Sequence, residues 1–269
     1  MRWGCFKPVI FACVASASLA GQESVRLRMV SGTPVVDEVY VNGQGPYSFI
    51  VDTGAQTSMM SEWLAKELGL KRAFRATSVS QNHASARDGF EAQQIRIHGV
   101  VAGNEAFIAG AFDAVRQVDG RIQGTLGQSF LSKQDYLIDF RRKTLTFGAA
   151  PVHGGVKAPF SLANGCMVTP TSHGHLTLDS GTSALVLYDS RDVQWRGEVA
   201  ISTVEGQSRV KYGELKKLLV AGQEFRNVSA AAAGRHKDDN ESDGLLPANL
   251  FRSVYVSNSG GYVVFNADQ

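Results

Sequence analysis

One short motif occurs twice in the same setting, and that repeat limits the folds open to this chain. Val51-Asp52-Thr53-Gly54-Ala55 is echoed by Leu178-Asp179-Ser180-Gly181-Thr182, with the two aspartates 127 residues apart. A second pair follows in the same order: Gly124-Thr125-Leu126-Gly127-Gln128-Ser129-Phe130-Leu131 and Gly244-Leu245-Leu246-Pro247-Ala248-Asn249-Leu250-Phe251. Each half then closes with an expected strand hairpin, Leu137 to Phe147 and Val254 to Phe265. A single Asp-Thr/Ser-Gly tripeptide reads as a turn or a helix start. The same elements in the same order twice read as an internal duplication. They predict two similar lobes about an approximate two-fold axis.

Strand signals dominate between these landmarks. Val35 to Val41 alternates and is rich in β-branched residues. Asn42-Gly43-Gln44-Gly45 reads as a hairpin turn, because Asn and Gly tolerate positive φ. Tyr47 to Val51 returns and runs into Asp52. One helix is expected after it, capped by Ser61, opened by Glu62 and ended by Gly69, with Trp63, Leu64 and Leu68 on its apolar stripe. Further strands are expected at Ile95 to His98, Ala106 to Ala109, Leu137 to Phe140 and Thr144 to Phe147, the last two joined by a turn at Arg141-Arg142-Lys143. Ala149 to Pro159 reads as a linker and Arg235 to Asp243 as a solvated loop. The fold class is therefore all-β and bilobal, with two β-barrel-like lobes at 21–157 and 158–269 and a cleft between them.

The first twenty residues stand apart. Arg2 and Lys7 give a positive start, Val9 to Ala20 is apolar and uncharged, and small residues end the run. This is the pattern of a secretory signal peptide over 1–20, too short to span a bilayer. Export to a periplasmic or extracellular space is the expectation, with no stable membrane span after the signal is removed. Without those residues, 25 Lys and Arg face 25 Asp and Glu. No basic stripe remains to suggest nucleic acid. Cys5 and Cys13 leave with the signal, so Cys166 remains as a lone thiol and no internal disulfide is expected.

The two aspartates carry the chemistry. Each follows an apolar strand and precedes a hydroxyl residue and a glycine. A carboxylate at the end of a buried strand is poorly solvated, and glycine lets backbone N–H groups approach it. If the lobes pack face to face, Asp52 and Asp179 meet at the axis. Two carboxylates that close share a proton over a wide pH range. The charged member can serve as general base on a water, and the protonated member can hydrogen-bond a carbonyl.

These motifs resemble the active-site sequences of pepsin-like and retropepsin-like aspartic proteases. The lead-in Val41-Asn42-Gly43-Gln44-Gly45-Pro46-Tyr47-Ser48-Phe49-Ile50 resembles the hairpin before the first motif in small bacterial members. Gly124-Thr125-Leu126-Gly127 resembles the apolar-apolar-Gly element behind the catalytic loop. The resemblance covers roughly residues 33–266. It implies a water-mediated endopeptidase acting on peptide or protein substrates, without cofactor or metal. It also implies that Thr53 and Ser180 tie the two loops together through their hydroxyls. Gly54 and Gly181 would then present N–H groups to the carboxylates, with Thr182 adding a hydroxyl. Because both motifs lie on one chain, a monomer suffices. Ala55 departs from the pepsin-like pattern and matches the retropepsin one. Pro247 stands where the second element would carry Gly. The covering hairpin is expected in Thr77 to Gln93, where His83 and Phe90 are the large rings.

Two other readings stay open at this point. The chain could be a catalytically silent peptide-binding module of the same fold. It could also be a metal-dependent hydrolase using His173 and His175, since His-Gly-His lies four residues before Asp179. No Gly-x-Ser-x-Gly elbow and no Walker-type phosphate loop occur.

Overall fold

The computed structural model of the chain describes residues 23–80, 83–148, 152–188, 192–204, 206–234 and 242–266. The expected signal, Cys5, Cys13 and most of the 235–243 loop lie outside them. The described chain is mostly strand. The first half contains β1 (Glu23–Val30), β2 (Thr33–Val41), β3 (Gln44–Val51), β4 (Met59–Ser61), β5 (Arg72–Ser80), β6 (His83–Ile97), β7 (Val100–Gly110), β8 (Ile122–Leu126), β9 (Tyr136–Asp139) and β10 (Thr144–Phe147). Three short helices punctuate it: α1 (Glu62–Glu67), α2 (Asp113–Val118) and α3 (Gln128–Leu131). The second half contains β11 (Val156–Pro159), β12 (Ser161–Ala163), β13 (Cys166–Thr171), β14 (Gly174–Asp179), β15 (Leu185–Leu187), β16 (Val193–Thr203), β17 (Gly206–Val220), β18 (Gln223–Ala232), β19 (Gly244–Pro247), β20 (Ser253–Ser257) and β21 (Tyr262–Phe265).

Strand order repeats as the motifs do. The first half runs β1-β2-β3-β8-β4-β7-β6-β5, and the second runs β12-β13-β14-β19-β15-β18-β17-β16. Even the extra contact recurs, as β2–β6 and β13–β17. In each half the strand leading to the aspartate pairs in parallel with the strand of the second motif: Val51 with Leu126, and Leu178 with Leu246. Those four side chains are essentially inaccessible to solvent. Each aspartate therefore leaves a strand that is fixed from both sides. The first half's sheet continues from β1 through β10-β9-β20-β21-β11 and so takes in strands of both halves, with β9 against β20 in antiparallel register. One apolar core runs through both halves, from Phe49 and Met60 through Tyr136 and Val254 to Leu178 and Leu215.

Local expectations hold in part. Asn42 and Gly43 make the first turn with φ of 50° and 79°, as their tolerance of positive φ allows. Ser61 caps α1 by accepting the Leu64 N–H at 3.1 Å. Two expectations are corrected. Trp63 is 53% exposed rather than on the apolar stripe, and its ring lies beside the Arg116 guanidinium of α2. The segment read as a linker ends in β11, which pairs with β21; Val156 and Ala158 gave it an alternation that its glycines and prolines masked. A long hairpin, β5–β6, does form where the covering hairpin was expected, and its apex at 81–82 lies outside the described residues. The second half has its own, β16–β17. Near that tip, Val204 packs on the apolar cluster of Val35, Met59, Phe112, Val115 and Ile122 from the first half.

Candidate active site

The two Asp-Thr/Ser-Gly loops meet at the pseudo-symmetry axis. Thr53 Oγ1 donates to the Leu178 carbonyl at 2.7 Å and accepts the Ser180 N–H at 3.0 Å. Ser180 Oγ donates to the Val51 carbonyl at 2.7 Å and accepts the Thr53 N–H at 3.0 Å. Each hydroxyl thus spends its one proton on the opposite strand and its lone pair on the opposite loop. Both side chains are buried, so water does not compete. Hydroxyl residues are needed at both positions because a methyl group could neither donate nor accept.

Glycine is needed next for space. A Cβ on Gly54 would lie 2.5 Å from the Asp179 carboxyl carbon, and one on Gly181 would lie 2.6 Å from that of Asp52. The two carboxylates therefore each sit against the other lobe's glycine. Gly54 N–H donates to Asp52 Oδ1 at 2.9 Å. Gly181 and Thr182 N–H groups donate to Asp179 Oδ1 at 2.6 and 3.2 Å. Asp179 is buried and Asp52 half-buried.

Burial pushes both carboxyls above the ordinary aspartate value. Asp179 is raised well above it, first by desolvation and then by the neighbouring Asp52 charge. Asp52 is raised by desolvation, while the hydrogen bond from Asp179 and the Gly54 and Ala55 N–H groups pull it back down. The pair therefore holds a proton between its two carboxyls to higher pH than an ordinary aspartate would.

Two further contacts cross the axis in matching places. Thr33 Oγ1 donates to the Gly181 carbonyl at 3.3 Å, and Cys166 Sγ donates to the Gly54 carbonyl at 3.3 Å. The register gives these two residues equivalent positions, since Val35 faces Ile50 and Val168 faces Thr177. The lone buried cysteine thus stands where the first half uses threonine. Thr182 Oγ1 turns to its own loop, toward Ala184.

The backing of the first loop was not anticipated from the sequence. Ser58 and Ser129 hydroxyls donate to one oxygen of Glu105, at 3.1 and 2.6 Å, and Lys133 pairs with the other. Glu105 is 1% exposed. Its signal was a single acid in β7, directly before the apolar run Ala106 to Ala109. Beside the second loop, a cavity of about 290 Å³ opens between Ser183, Phe225, Arg226, Asn227, Pro247 and Leu250.

His173 and His175 do not converge with Asp179. His173 Nδ1 lies 3.0 Å from Ser172 Oγ, and the exposed His175 lends its backbone N–H to Asp243. Among the described residues, no group of three His, Cys, Asp or Glu side chains is placed to hold a metal ion. Nor is any described helix long and apolar enough to cross a membrane.

Comparison with known proteins agrees with this geometry. Residues 36–130 match the aspartyl protease family model. A search of curated proteins finds no match. The crystal structure of aspartic proteinase from Irpex lacteus superimposes with a TM-score of 0.56 at 12% identity, covering 90% of this chain and 96% of that one. That likeness shows the bilobal fold. The crystal structure of a retropepsin-like aspartic protease from Rickettsia conorii aligns at 23% identity over 47% of this chain and 89% of that one, with a TM-score of 0.36. Over residues 36–130 the chain resembles the aspartyl protease family, and its fold is the bilobal one.

Proposed function

We propose that the protein is an exported aspartic endopeptidase that cleaves peptide bonds with a water activated by Asp52 and Asp179. The observation that carries this reading is the crossed arrangement of the two loops. Each carboxylate rests against the opposite glycine, and the loops are locked by the Thr53 and Ser180 hydroxyls. A fold that needed these aspartates only as turn residues would have no use for bringing two raised carboxyls together.

The chemistry follows from the uneven burial. Ionised Asp52 accepts a proton from the water as its oxygen attacks the scissile carbonyl carbon. Protonated Asp179 donates to the carbonyl oxygen, giving a neutral tetrahedral diol. That intermediate collapses when a diol hydroxyl returns its proton to Asp179. The proton taken up by Asp52 passes to the leaving nitrogen, so the C–N bond breaks and the starting protonation is restored. The state with one proton on the pair exists below the raised value of Asp179 and above that of Asp52, so activity peaks on the acidic side of neutrality. Peptide lies in the cleft, and the cavity beside Ser183 and Pro247 receives one of its side chains.

The test is cleavage of a denatured protein from acidic to neutral pH, with and without a chelator and pepstatin, by wild type and by Asp52→Asn and Asp179→Asn. Cleavage that survives chelation and disappears in both variants supports the proposal. Folded protein without cleavage at any pH would overturn it in favour of a peptide-binding module, and activity abolished by chelation would favour a metal-dependent hydrolase.

A further inference from the structure

The two loops are equivalent in backbone and unequal in what stands behind them. Strand register pairs Met59 with Ile108 and Val186 with Ala231, and pairs Val51 with Leu126 and Leu178 with Leu246. Ser58, Glu105, Gly127 and Ser129 therefore have as counterparts Leu185, Val228, Pro247 and Asn249. A charged, hydrogen-bonded cluster in the first half is replaced by buried leucine, valine and proline in the second.

The geometry points to Glu105 as a positioning residue for Asp52, an inference that rests on Asp52 being catalytic. The carboxylate fixes which way two hydroxyls point. With the Ser58 and Ser129 protons directed to Glu105 Oε1, both serine oxygens keep lone pairs for backbone N–H groups. Ser58 Oγ accepts the Gly127 N–H at 3.1 Å, and Ser129 Oγ accepts the Ser58 N–H at 2.9 Å. These bonds clamp segment 127–129 against the catalytic loop. There the Gln128 N–H reaches the Ala55 carbonyl, the Ser129 N–H reaches Gln56, and Gln128 Nε2 reaches the Thr53 carbonyl at 2.8 Å. Gly127 lies directly against that loop, since a Cβ there would lie 2.7 Å from the Thr57 backbone. The clamp ends on residues 53–56, among which the Gly54 and Ala55 N–H groups hold the Asp52 carboxylate. In the second half Pro247 has no N–H, so Leu185 needs no acceptor, and apolar packing replaces the clamp.

A buried ion pair does little for net stability and can often be replaced by apolar residues, as Leu185 and Val228 illustrate. Its retention on the Asp52 side alone fits a directional task. Lys133, which is 42% exposed, compensates the charge that this task requires. In Glu105→Gln the amide oxygen can still accept both serine protons, but its NH2 then faces Lys133. Removing that cation as well, in Glu105→Gln/Lys133→Met, restores the clamp with neutral groups.

The experiment compares wild type, Glu105→Gln, Glu105→Ala and the double variant. Thermal unfolding verifies folding, and kcat and KM are measured across pH. The Asp52 carboxyl titration is followed by carbon NMR. Loosening the clamp should lower kcat by about tenfold in Glu105→Gln and up to about a hundredfold in Glu105→Ala, with KM little changed. The Asp52 titration and the acidic limb of kcat/KM should both move to higher pH as the carboxylate loses N–H donors. The double variant should recover most of the loss. An unmoved Asp52 titration with unchanged kcat, or a lowered melting temperature as the sole effect, would overturn the assignment. If Glu105→Ala does not fold, Glu105→Gln and its rescue decide the matter. The NMR titration needs no turnover, so it tests the clamp even if wild type cleaves nothing, the outcome that counts against the protease proposal instead.

Discussion

The loop that carries Asp52 is held by polar groups and the loop that carries Asp179 by packing, although both present an aspartate in the same way. Behind Asp52 stand Ser58, Ser129, Glu105 and Lys133. Behind Asp179 stand Leu185, Val228 and Pro247, all buried. Smaller differences run both ways: Ala55 against Thr182 after the glycines, and Thr33 against Cys166 across the axis. Two copies of one backbone can thus be stabilised by different chemistry, because the strand order fixes the loop and the side chains behind it need only fill space without stranding a polar group.

The strongest test of that comparison concerns what the loops share. Gly54→Ala and Gly181→Ala should each abolish cleavage, because the added methyl meets the opposite carboxyl at 2.5–2.6 Å. Residual activity in either would show that the loops do not need to interlock. Next in size is the hydroxyl lock. Thr53→Val and Ser180→Ala should each cost about 2–3 kcal/mol in urea unfolding, since each strands buried carbonyl and N–H partners. If one costs far less than the other, the lock is not shared equally.

A pH experiment separates the dyad from the rest of the charge network. Both dyad carboxyls have folded values above the ordinary aspartate value of 3.8. Their contribution to stability is therefore fully present below about pH 3.8 and is lost as pH rises through the folded values. Asp179→Asn should thus melt higher than wild type near neutrality, with the advantage vanishing in acid. Asp119 behaves in the opposite sense. Hydrogen bonds from Arg121 hold it at about 2, so its contribution is present above 3.8 and is lost as pH falls through that value. Asp119→Asn should melt lower near neutrality and converge with wild type in strong acid. Melting temperatures of the two variants should lie on opposite sides of wild type near neutrality and converge on it in strong acid; parallel curves would refute this account. The smallest expected effect is from Cys166→Thr, which makes the two axis-crossing contacts alike. It should alter stability by less than about 1 kcal/mol, and a larger change would show that the thiol does something the threonine hydroxyl cannot.

Much of this was legible in the sequence. The paired motifs, their order and the closing hairpins expose the duplication, because each is a backbone requirement written in residues with few substitutes. Thr53, Ser180, Gly54 and Gly181 fall into that class, and the structure brings them together. The cluster around Glu105 was hidden, because its members come from three separate segments and each is an ordinary residue alone. The hairpin strands β6 and β17 were underestimated for another reason. They extend away from the core, so much of their length carries polar side chains that weaken the alternation. Trp63 was misplaced because an aromatic ring on a six-residue helix can cover a guanidinium at the surface as readily as it can enter a core.

The strands that join the halves carry a last implication. With β9 paired to β20 and one core running through both lobes, the encounter of Asp52 with Asp179 is a folding event within one molecule. Its probability is set by chain connectivity and is indifferent to dilution. A centre assembled this way needs no threshold abundance, so a single copy released into a large volume would be as complete as one in a crowd. It is also freed from symmetry: a substitution behind one aspartate is not automatically copied behind the other, and each side can be adjusted alone.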